Sequence, residues 1–302
     1  MLALRRSARP ATYKTMLKIE ISFITPLFNC LAYTKEYLTS LSKTVTDVPH
    51  EIILVDDSST DGTREFLKTV KDPPQRVLLN HANLGFAKSS NIGAHHAKGE
   101  YLCFLNNDVV LKPGWLEPMY ELARSRPDIG AVGNIQLEPK SGRIHHAGVF
   151  FDWEGRPLHA WRYRQRRPKG DFGEWNAITA ACFLIKGEVF RELGGFDEAY
   201  RNGFEDIDLC VRLRQKSYRL LVSYRSVIDH HASISPGRRD YDDQNRERFL
   251  KKWQAVTRGW GIKEWPAQYV HRYARAWWKM VPWRMAQGMC ILAFRWIFAR
   301  KF

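Results

Sequence analysis

Short apolar runs recur along the first half of the chain, and helical stretches separate them. IEISFI (19–24), EIILV (51–55), RVLL (76–79), EYLCFL (100–105) and IGAVG (129–133) have the length and apolar content of buried strands. Helical patterns fall at 31–45, at 61–70 before KDPP, at 85–97, and at 112–125. The last has a proline near its start, where the missing N–H does no harm. Strands that alternate with helices predict a mostly parallel sheet covered on both faces. Uniformly apolar strands fit burial from both sides.

Sheets of this kind bind ligands at the carboxyl ends of their strands. Three of these ends carry polar clusters: Thr25, Pro26 and Asn29 at one, Asp56 and Asp57 at another, and Asn106, Asn107 and Asp108 at a third. Turn formers at one strand end are ordinary. Three clusters on one edge mark a binding site. The adjacent carboxylates at 56 and 57 repel each other unless something binds them. No GxGxxG follows the first strand and no GxxxxGK[ST] occurs, so neither common phosphate cradle is present. A divalent metal is the alternative way to hold a diphosphate. Asp108 is one candidate ligand. Further carboxylates, Glu205, Asp206 and Asp208, stand where a helix is predicted to begin, and a helix N-terminus favours them. Asp229, His230 and His231 follow a predicted strand, RLLVS, and a neutral imidazole is a common metal ligand.

Charge narrows the partners. The chain has 302 residues and a net charge of +15, and two tails carry most of that charge. Residues 1–18 hold five basic residues and no acid, and residues 271–302 hold seven and no acid. A nucleic-acid enzyme carries its basic charge along the main cleft, so nucleic acid is not an expected partner. The C-terminal tail mixes its cations with Trp277, Trp278, Trp283, Phe294, Trp296 and Phe298. Its longest uncharged run, Met285 to Phe294, is ten residues, about half of what a membrane span needs. That pattern predicts a helix lying on an anionic membrane surface; a helix that docks on the body or on a second subunit, as in a homodimer, is the alternative. Five dispersed cysteines without a CxxC pair read as reduced core thiols of a cytosolic protein. No signal-peptide pattern stands at the N-terminus.

Together these stretches resemble the family-2 inverting glycosyltransferases of GT-A fold, in the bacterial rhamnosyltransferase-like branch. The matching segments are ISFITPLFN, EIILVDDSSTDGT, NLGFAKSSNIGAHHAKGEYLCFLNNDV, HHAGVFFD, AITAACFLIKGEVFRELGGFDEAY, GFEDIDLCVRLRQKSYRL and SVIDHHASIS, in the family's order over about residues 19–240. The resemblance implies a nucleotide-sugar site that contains Thr25, Pro26, Asn29, Asp56, Asp57, Asn83, Gly85, Asn91, Asn106 and Asn107, with Asp56 and its neighbour on a uracil or thymine base. NND stands where the family has Asp-x-Asp, so Asp108 matches the metal-binding aspartate and Asn106 replaces the first. His230 matches the late metal-ligating histidine, and Mg²⁺ or Mn²⁺ is the implied cofactor. Asp206 of FED matches the catalytic base, with Glu205 beside it. The implied reaction moves a sugar from a UDP- or dTDP-sugar to a hydroxyl of a glycan or lipid-linked glycan, in surface polysaccharide synthesis on the cytoplasmic face of the cell membrane.

The acceptor side offers less. The loop 156–170 holds six basic residues with Trp161 and Tyr163 and is a candidate contact for a lipid-linked diphosphate. Trp153, Trp161 and Trp175 could stack on sugars, and Thr179 and His146 complete the candidate acceptor set. The expected organisation is a basic arm (1–15), a GT-A domain (16–240) with a nucleotide-binding half to about 135, and a helical basic and aromatic tail (241–302). Two rival readings are a nucleotidyltransferase, which would want a Gly-rich loop near the first strand, and a non-catalytic membrane-binding protein on this scaffold.

Overall fold

The computed structural model describes residues 18–45, 47–70, 75–162, 165–232, 234, 237, 239–273 and 280–299, without the side chains of 271, 272 and 294–299. The arm at 1–15, KDPP (71–74), Tyr163 and Arg164 of the basic loop, and residues 274–279 and 300–302 of the tail lie outside the described residues, as do the side chains of Arg272, Phe294, Arg295, Trp296 and Phe298.

The first half alternates as expected: β1 (Ile21–Leu27), α1 (Leu31–Thr44), β2 (His50–Asp56), α2 (Thr63–Thr69), β3 (Gln75–Leu79), α3 (Phe86–His96) and β4 (Tyr101–Leu105). Next come β5 (Val109–Val110), α4 (Glu117–Arg124), β6 (Ile129–Leu137), β7 (Ile144–His146), β8 (Val149–Phe151), β9 (Pro157–His159) and β10 (Phe172–Trp175). The last part holds β11 (Cys182–Lys186), α5 (Gly187–Glu192), α6 (Glu205–Gln215), β12 (Arg219–His230), α7 (Asp242–Tyr273) and α8 (Pro282–Ala299).

Strands β3, β2, β1 and β4 pair in parallel in that order. Beyond β4 the sheet is mixed. β11 runs antiparallel between β4 and β6, β12 is parallel to β6, and β10 is antiparallel on the edge. Strand residues alternate between two cores. Leu102 and Phe104 of β4 face one, with α3, α5 and α6; Tyr101, Cys103 and Leu105 face the other, with α1 and α4. That is the period of two that a strand imposes on its side chains. Burying each such aromatic or aliphatic side chain contributes about 1.5–3 kcal/mol.

Three elements differ from the sequence expectation. The helix expected from 112 begins at Glu117, and Pro118 in its first turn replaces Pro113 in the expected role. The strand expected at 129–133 continues to Leu137. The strand expected at 219–223 continues to His230, past an irregularity between Ser223 and Val227. Pairing with β6 and β5 carries it on, so Asp229 and His230 lie inside a strand rather than after one. The cysteines are free, but only Cys103, Cys182 and Cys210 are core residues; Cys290 is exposed on α8. Helix α7 lies across the β8–β9 ribbon. A Cβ on Gly261 would sit 1.8 Å from the Asp152 carbonyl oxygen, so only glycine allows this approach.

Candidate active site

The parallel register sets Leu27 beside Asp56 and Ile24 beside Phe104, which levels the carboxyl ends of β1, β2 and β4. Their loops, the turn before β11 and the start of α6 line a cleft of about 290 Å³.

The two adjacent aspartates have different partners. Asp57 Oδ1 accepts hydrogen bonds from the Leu84 N–H and from Asn80 Nδ2, each at 2.8 Å, and Oδ2 accepts from the Gly85 N–H at 2.8 Å. Asp56 is fully buried, and its Oδ2 lies 2.8 Å from Arg64 Nε. The Ser59 N–H faces both Asp56 oxygens at 3.3 and 3.4 Å. One guanidinium and a set of neutral donors thus offset the paired charges. Only Asp57 lines the cleft. The expected role of Asp56 on the base is corrected accordingly: its carboxylate is engaged by Arg64, on the other side of the strand end from Asp57.

Pro26, Asn83, Asn106 and Asn107 line the cleft, as expected of nucleotide-site residues. Four others expected there do not. Thr25 Oγ1 bonds the Tyr37 hydroxyl at 2.6 Å inside the core. Asn29 takes a left-handed conformation (φ 55°) and ties two loops, accepting from the Thr60 N–H at 2.7 Å. Gly85 contributes its N–H to Asp57. Asn91 holds the turn before Phe196, accepting its N–H at 2.9 Å and donating to its carbonyl at 2.9 Å. These four shape the walls without facing the cleft.

The short strand β5 pairs with the end of β12, with Val109 opposite His230. That pairing brings the neighbouring Asp108 to His230. Asp108 Oδ1 and His230 Nε2 stand 3.2 Å apart. Both atoms are buried, and among the described residues neither has a hydrogen-bond partner. His230 Nδ1 lies 2.8 Å from Gln136 Oε1, which places the ring proton on Nδ1 and leaves a lone pair on Nε2. An oxygen and a nitrogen lone pair therefore face each other, a donor set that fits a divalent cation. Among the described residues no group of three His, Cys, Asp or Glu side chains could hold a metal. Burial raises the Asp108 carboxyl; a protonated His230 ring facing it, together with a hydrogen bond from Asn106, would hold it below the usual carboxylate range in the absence of a cation. His231 points elsewhere, 3.3 Å from Glu36 and edge-on to Tyr33.

Asp206 lines the cleft from the first turn of α6. Its Oδ2 accepts the Ala180 N–H at 2.9 Å and its Oδ1 the Ile207 N–H at 2.8 Å. Glu205 also reaches the cleft, but its Oε2 accepts the Gly203 N–H at 2.6 Å and so holds the turn that aims Asp206. Glu205 thus reaches the cleft beside Asp206 with one oxygen tied to the backbone of the preceding turn.

Of the expected acceptor residues only Thr179 lines the cleft. His146 is fully buried against His159 (Nδ1 to Nδ1, 3.0 Å), and burial followed by that neighbour holds its ring well below the ordinary histidine range. Its sequence neighbour His145 is the one that meets His230, edge-on with ring centres 5.5 Å apart. Burial first, then His230 and Arg162, lower His145 to about 4. Trp175 fills the space over Gly148, where a Cβ would come within 2.3 Å of the indole. Trp153 packs on Trp283 of α8 at 6.0 Å, and Trp161 packs on the core beneath. The apolar rings are consumed in joining the β8–β9 ribbon and the C-terminal helices to the sheet, and none stands in the cleft.

Residues the sequence reading passed over also line it: Arg201, Asn202, Asp240 and Tyr241. Arg201 stacks over Tyr241 at 4.9 Å and donates to the Asn83 carbonyl at 3.3 Å. No motif marks it; its place follows from Asn245 of α7, which bonds the Arg201 backbone on both sides. Among the described residues, five lining carboxylates (Asp57, Asp108, Glu205, Asp206, Asp240) face one guanidinium. An anionic diphosphate entering this cleft requires a further cation.

The profile of "Glycosyl transferase family 2" matches residues 22–194. A similar protein is the "O-antigen biosynthesis protein RfbC" of Myxococcus xanthus, 35% identical over 63% of this chain and 16% of its own length. The "N-acetylglucosaminyl-diphospho-decaprenol L-rhamnosyltransferase" of Mycobacterium tuberculosis is 27% identical over 68% of this chain and 74% of its own. An uncharacterised Sinorhizobium fredii protein is 31% identical over 83% of this chain. The chain spans 29% and 16% of the lengths of the Sinorhizobium and Myxococcus relatives. Among solved structures, GalNAc-T7 with UDP, GalNAc and Mn²⁺ superposes with a TM-score of 0.66, covering 80% of this chain and 49% of its own at 19% identity. The Pyrobaculum calidifontis mannosyltransferase PcManGT with GDP-Man and Mn²⁺ gives 0.55 over 93% of this chain and 76% of its own, at 18% identity. These two share the fold. With its GT-A sheet, its acidic cleft at the strand ends and a family match across more than half its length, the chain belongs to glycosyl transferase family 2.

Proposed function

We propose that the chain transfers a sugar from a UDP- or dTDP-sugar to a hydroxyl of a glycan or lipid-linked glycan, with inversion, in the synthesis of a bacterial surface polysaccharide. One observation carries this reading: Asp108 Oδ1 and His230 Nε2 face each other at 3.2 Å, buried and, among the described residues, without a hydrogen-bond partner, and Asp108 lines the cleft that also holds Asp206. Asp108 and His230 would hold Mg²⁺ or Mn²⁺. The ion supplies positive charge against the leaving diphosphate. The Mn²⁺ and nucleotide-sugar ligands of the two structural neighbours support the donor class. The rhamnosyltransferase and O-antigen relatives support a deoxyhexose donor and a lipid-linked acceptor.

The chain's own groups then have separable tasks. Asp57 and Asn83 receive the nucleoside, with a lone pair left on Asp57 Oδ2. Arg201 adds fixed positive charge in a cleft that is otherwise acidic. Asp206 takes the proton from the acceptor hydroxyl as that oxygen attacks the anomeric carbon from the face opposite the leaving group. Its two backbone donors orient the carboxylate before the acceptor arrives. The basic, aromatic C-terminus serves to hold the protein on the cytoplasmic surface of an anionic membrane. Trp283 and Met289 of α8 are more than half exposed, and no helix of the described residues is long and apolar enough to cross a membrane.

The test is release of nucleoside diphosphate from a panel of UDP-, dTDP- and GDP-sugars with Mg²⁺, Mn²⁺ or EDTA. Metal-dependent release from one donor is expected. Release that EDTA leaves untouched would remove the metal role of Asp108 and His230.

A further inference from the structure

A second cavity, of about 350 Å³, lies between the β8–β9 ribbon and helices α7 and α8. It falls outside the residues that the family profile covers, apart from the ribbon. Its lining is rich in aromatic rings: Phe150, Phe204, Trp265, Tyr269 and Tyr273. The same lining carries Arg156, Arg246 and Arg284 and, among the described residues, a single carboxylate, Asp152. Its charge is therefore opposite to that of the catalytic cleft.

The three guanidiniums differ in how far they are committed. Arg156 is paired with Asp152 at 2.7 Å and with Glu154 at 2.6 Å. Arg246 pairs with Asp243 at 3.0 Å, at an exposed site where the pair is weak. Arg284 lies over the Trp283 ring, and its Nε is buried with no hydrogen-bond partner among the described residues. A buried guanidinium N–H left without an acceptor costs free energy, and an anionic oxygen in the cavity removes that cost.

Phe204 joins the two cavities. It lines this one, and the next two residues, Glu205 and Asp206, line the catalytic cleft. Phe204 is held in a left-handed conformation (φ 73°) and packs on Phe249 of α7, with ring centres 5.4 Å apart. A molecule seated here lies on the far side of one residue from the proposed base.

We propose that this cavity binds the junction between hydrocarbon and phosphate of a lipid-linked acceptor. The aromatic rings take the first isoprenoid units, and Arg284 with Arg246 takes the phosphate oxygens. The inference rests on the glycosyltransferase reading and adds to it the site and chemical class of the acceptor's anchor. An ordinary phospholipid offers related chemistry. The aromatic lining and the volume of about 350 Å³ favour an isoprenoid, because aromatic rings suit a single branched, unsaturated chain.

Tryptophan fluorescence of the full chain, titrated with farnesyl diphosphate, reads occupancy near Trp265. Saturable binding is expected, unaffected by inorganic diphosphate or by UDP and dTDP. Arg284→Gln should weaken it about tenfold, the effect of one charge-assisted hydrogen bond. Arg246→Gln should weaken it in the same direction, and its exposed position keeps this variant folded should Arg284→Gln prove unstable. Geranylgeraniol, without phosphate, and short-chain phosphatidylglycerol are the comparison ligands. Tighter binding of phosphatidylglycerol than of farnesyl diphosphate would assign the cavity to the membrane instead. No saturable binding, or displacement by UDP or dTDP, would overturn the proposal. Donor hydrolysis by the wild-type chain is read separately. Hydrolysis without prenyl diphosphate binding removes this inference alone; binding without hydrolysis removes the enzymatic reading and with it the assignment of the cavity to an acceptor, leaving only a prenyl-phosphate site.

Discussion

Asp56 and Asp57 show how two identical neighbours acquire different work. Consecutive strand residues point to opposite faces, so one carboxylate meets Arg64 and the other meets the loop at 84–85 and the cleft. Asp57→Ala should weaken UDP or dTDP binding about tenfold or more, measured by titration calorimetry. Asp56→Ala leaves Arg64 without its buried partner and should cost about 3–5 kcal/mol in urea unfolding. Lost nucleotide affinity at full stability in Asp56→Ala would return the base contact to that residue. Asp206→Asn keeps the side chain's shape and removes its ability to take a proton. Turnover should fall about 10²-fold or more while donor affinity stays nearly intact, as steady-state rates and donor titration would show. Normal turnover would end its assignment as the base.

At the scale of elements, the C-terminal helix α7 is tied to helix α6, which carries the proposed base. Asp208, fully buried two residues after Asp206, meets Lys252 at 2.7 Å, Trp253 Nε1 at 2.7 Å and Arg212 at 2.8 Å. Lys252 also meets Asp197 at 2.8 Å, in the loop before α6. A second tie runs from Glu264 of α7 to Asn176, whose Nδ2 donates to Oε1 at 2.6 Å. Burial pushes the Glu264 carboxyl up to about 7 from an ordinary 4.5, against hydrogen bonds from the Phe151 backbone and Asn176. The folded protein therefore keeps a proton there that the unfolded chain loses near pH 4.5. Across that window the folded state binds more protons, so this group's contribution to stability falls as pH rises and levels off above about 7. Glu264→Gln removes the dependence. Its stability relative to wild type should climb from pH 4.5 to about 7 in chemical unfolding curves. A constant difference across that range would show that Glu264 titrates normally in the folded state.

At the scale of the whole molecule, charge is divided: an acidic cleft, a basic second cavity, and two basic termini. The full chain should co-sediment with vesicles containing anionic phospholipid, release as salt rises, and ignore neutral vesicles. Deletion of 271–302 should abolish the association; if it persists, the membrane role of the tail is removed and the catalytic reading is untouched. The sequence by itself determined the alternation of strands and helices, the polar strand ends and the chemistry available at Asp108, Asp206 and His230, because periodicity and turn chemistry are local. Only the tertiary structure decided which aspartate faces the ligand, that Trp153, Trp161 and Trp175 join layers instead of lining a sugar site, and that Arg201 enters the cleft. It also set His230 beside Asp108, through a two-residue strand too short to read from pattern. Each of those outcomes depends on register and packing between segments far apart in the chain, which local preference does not encode.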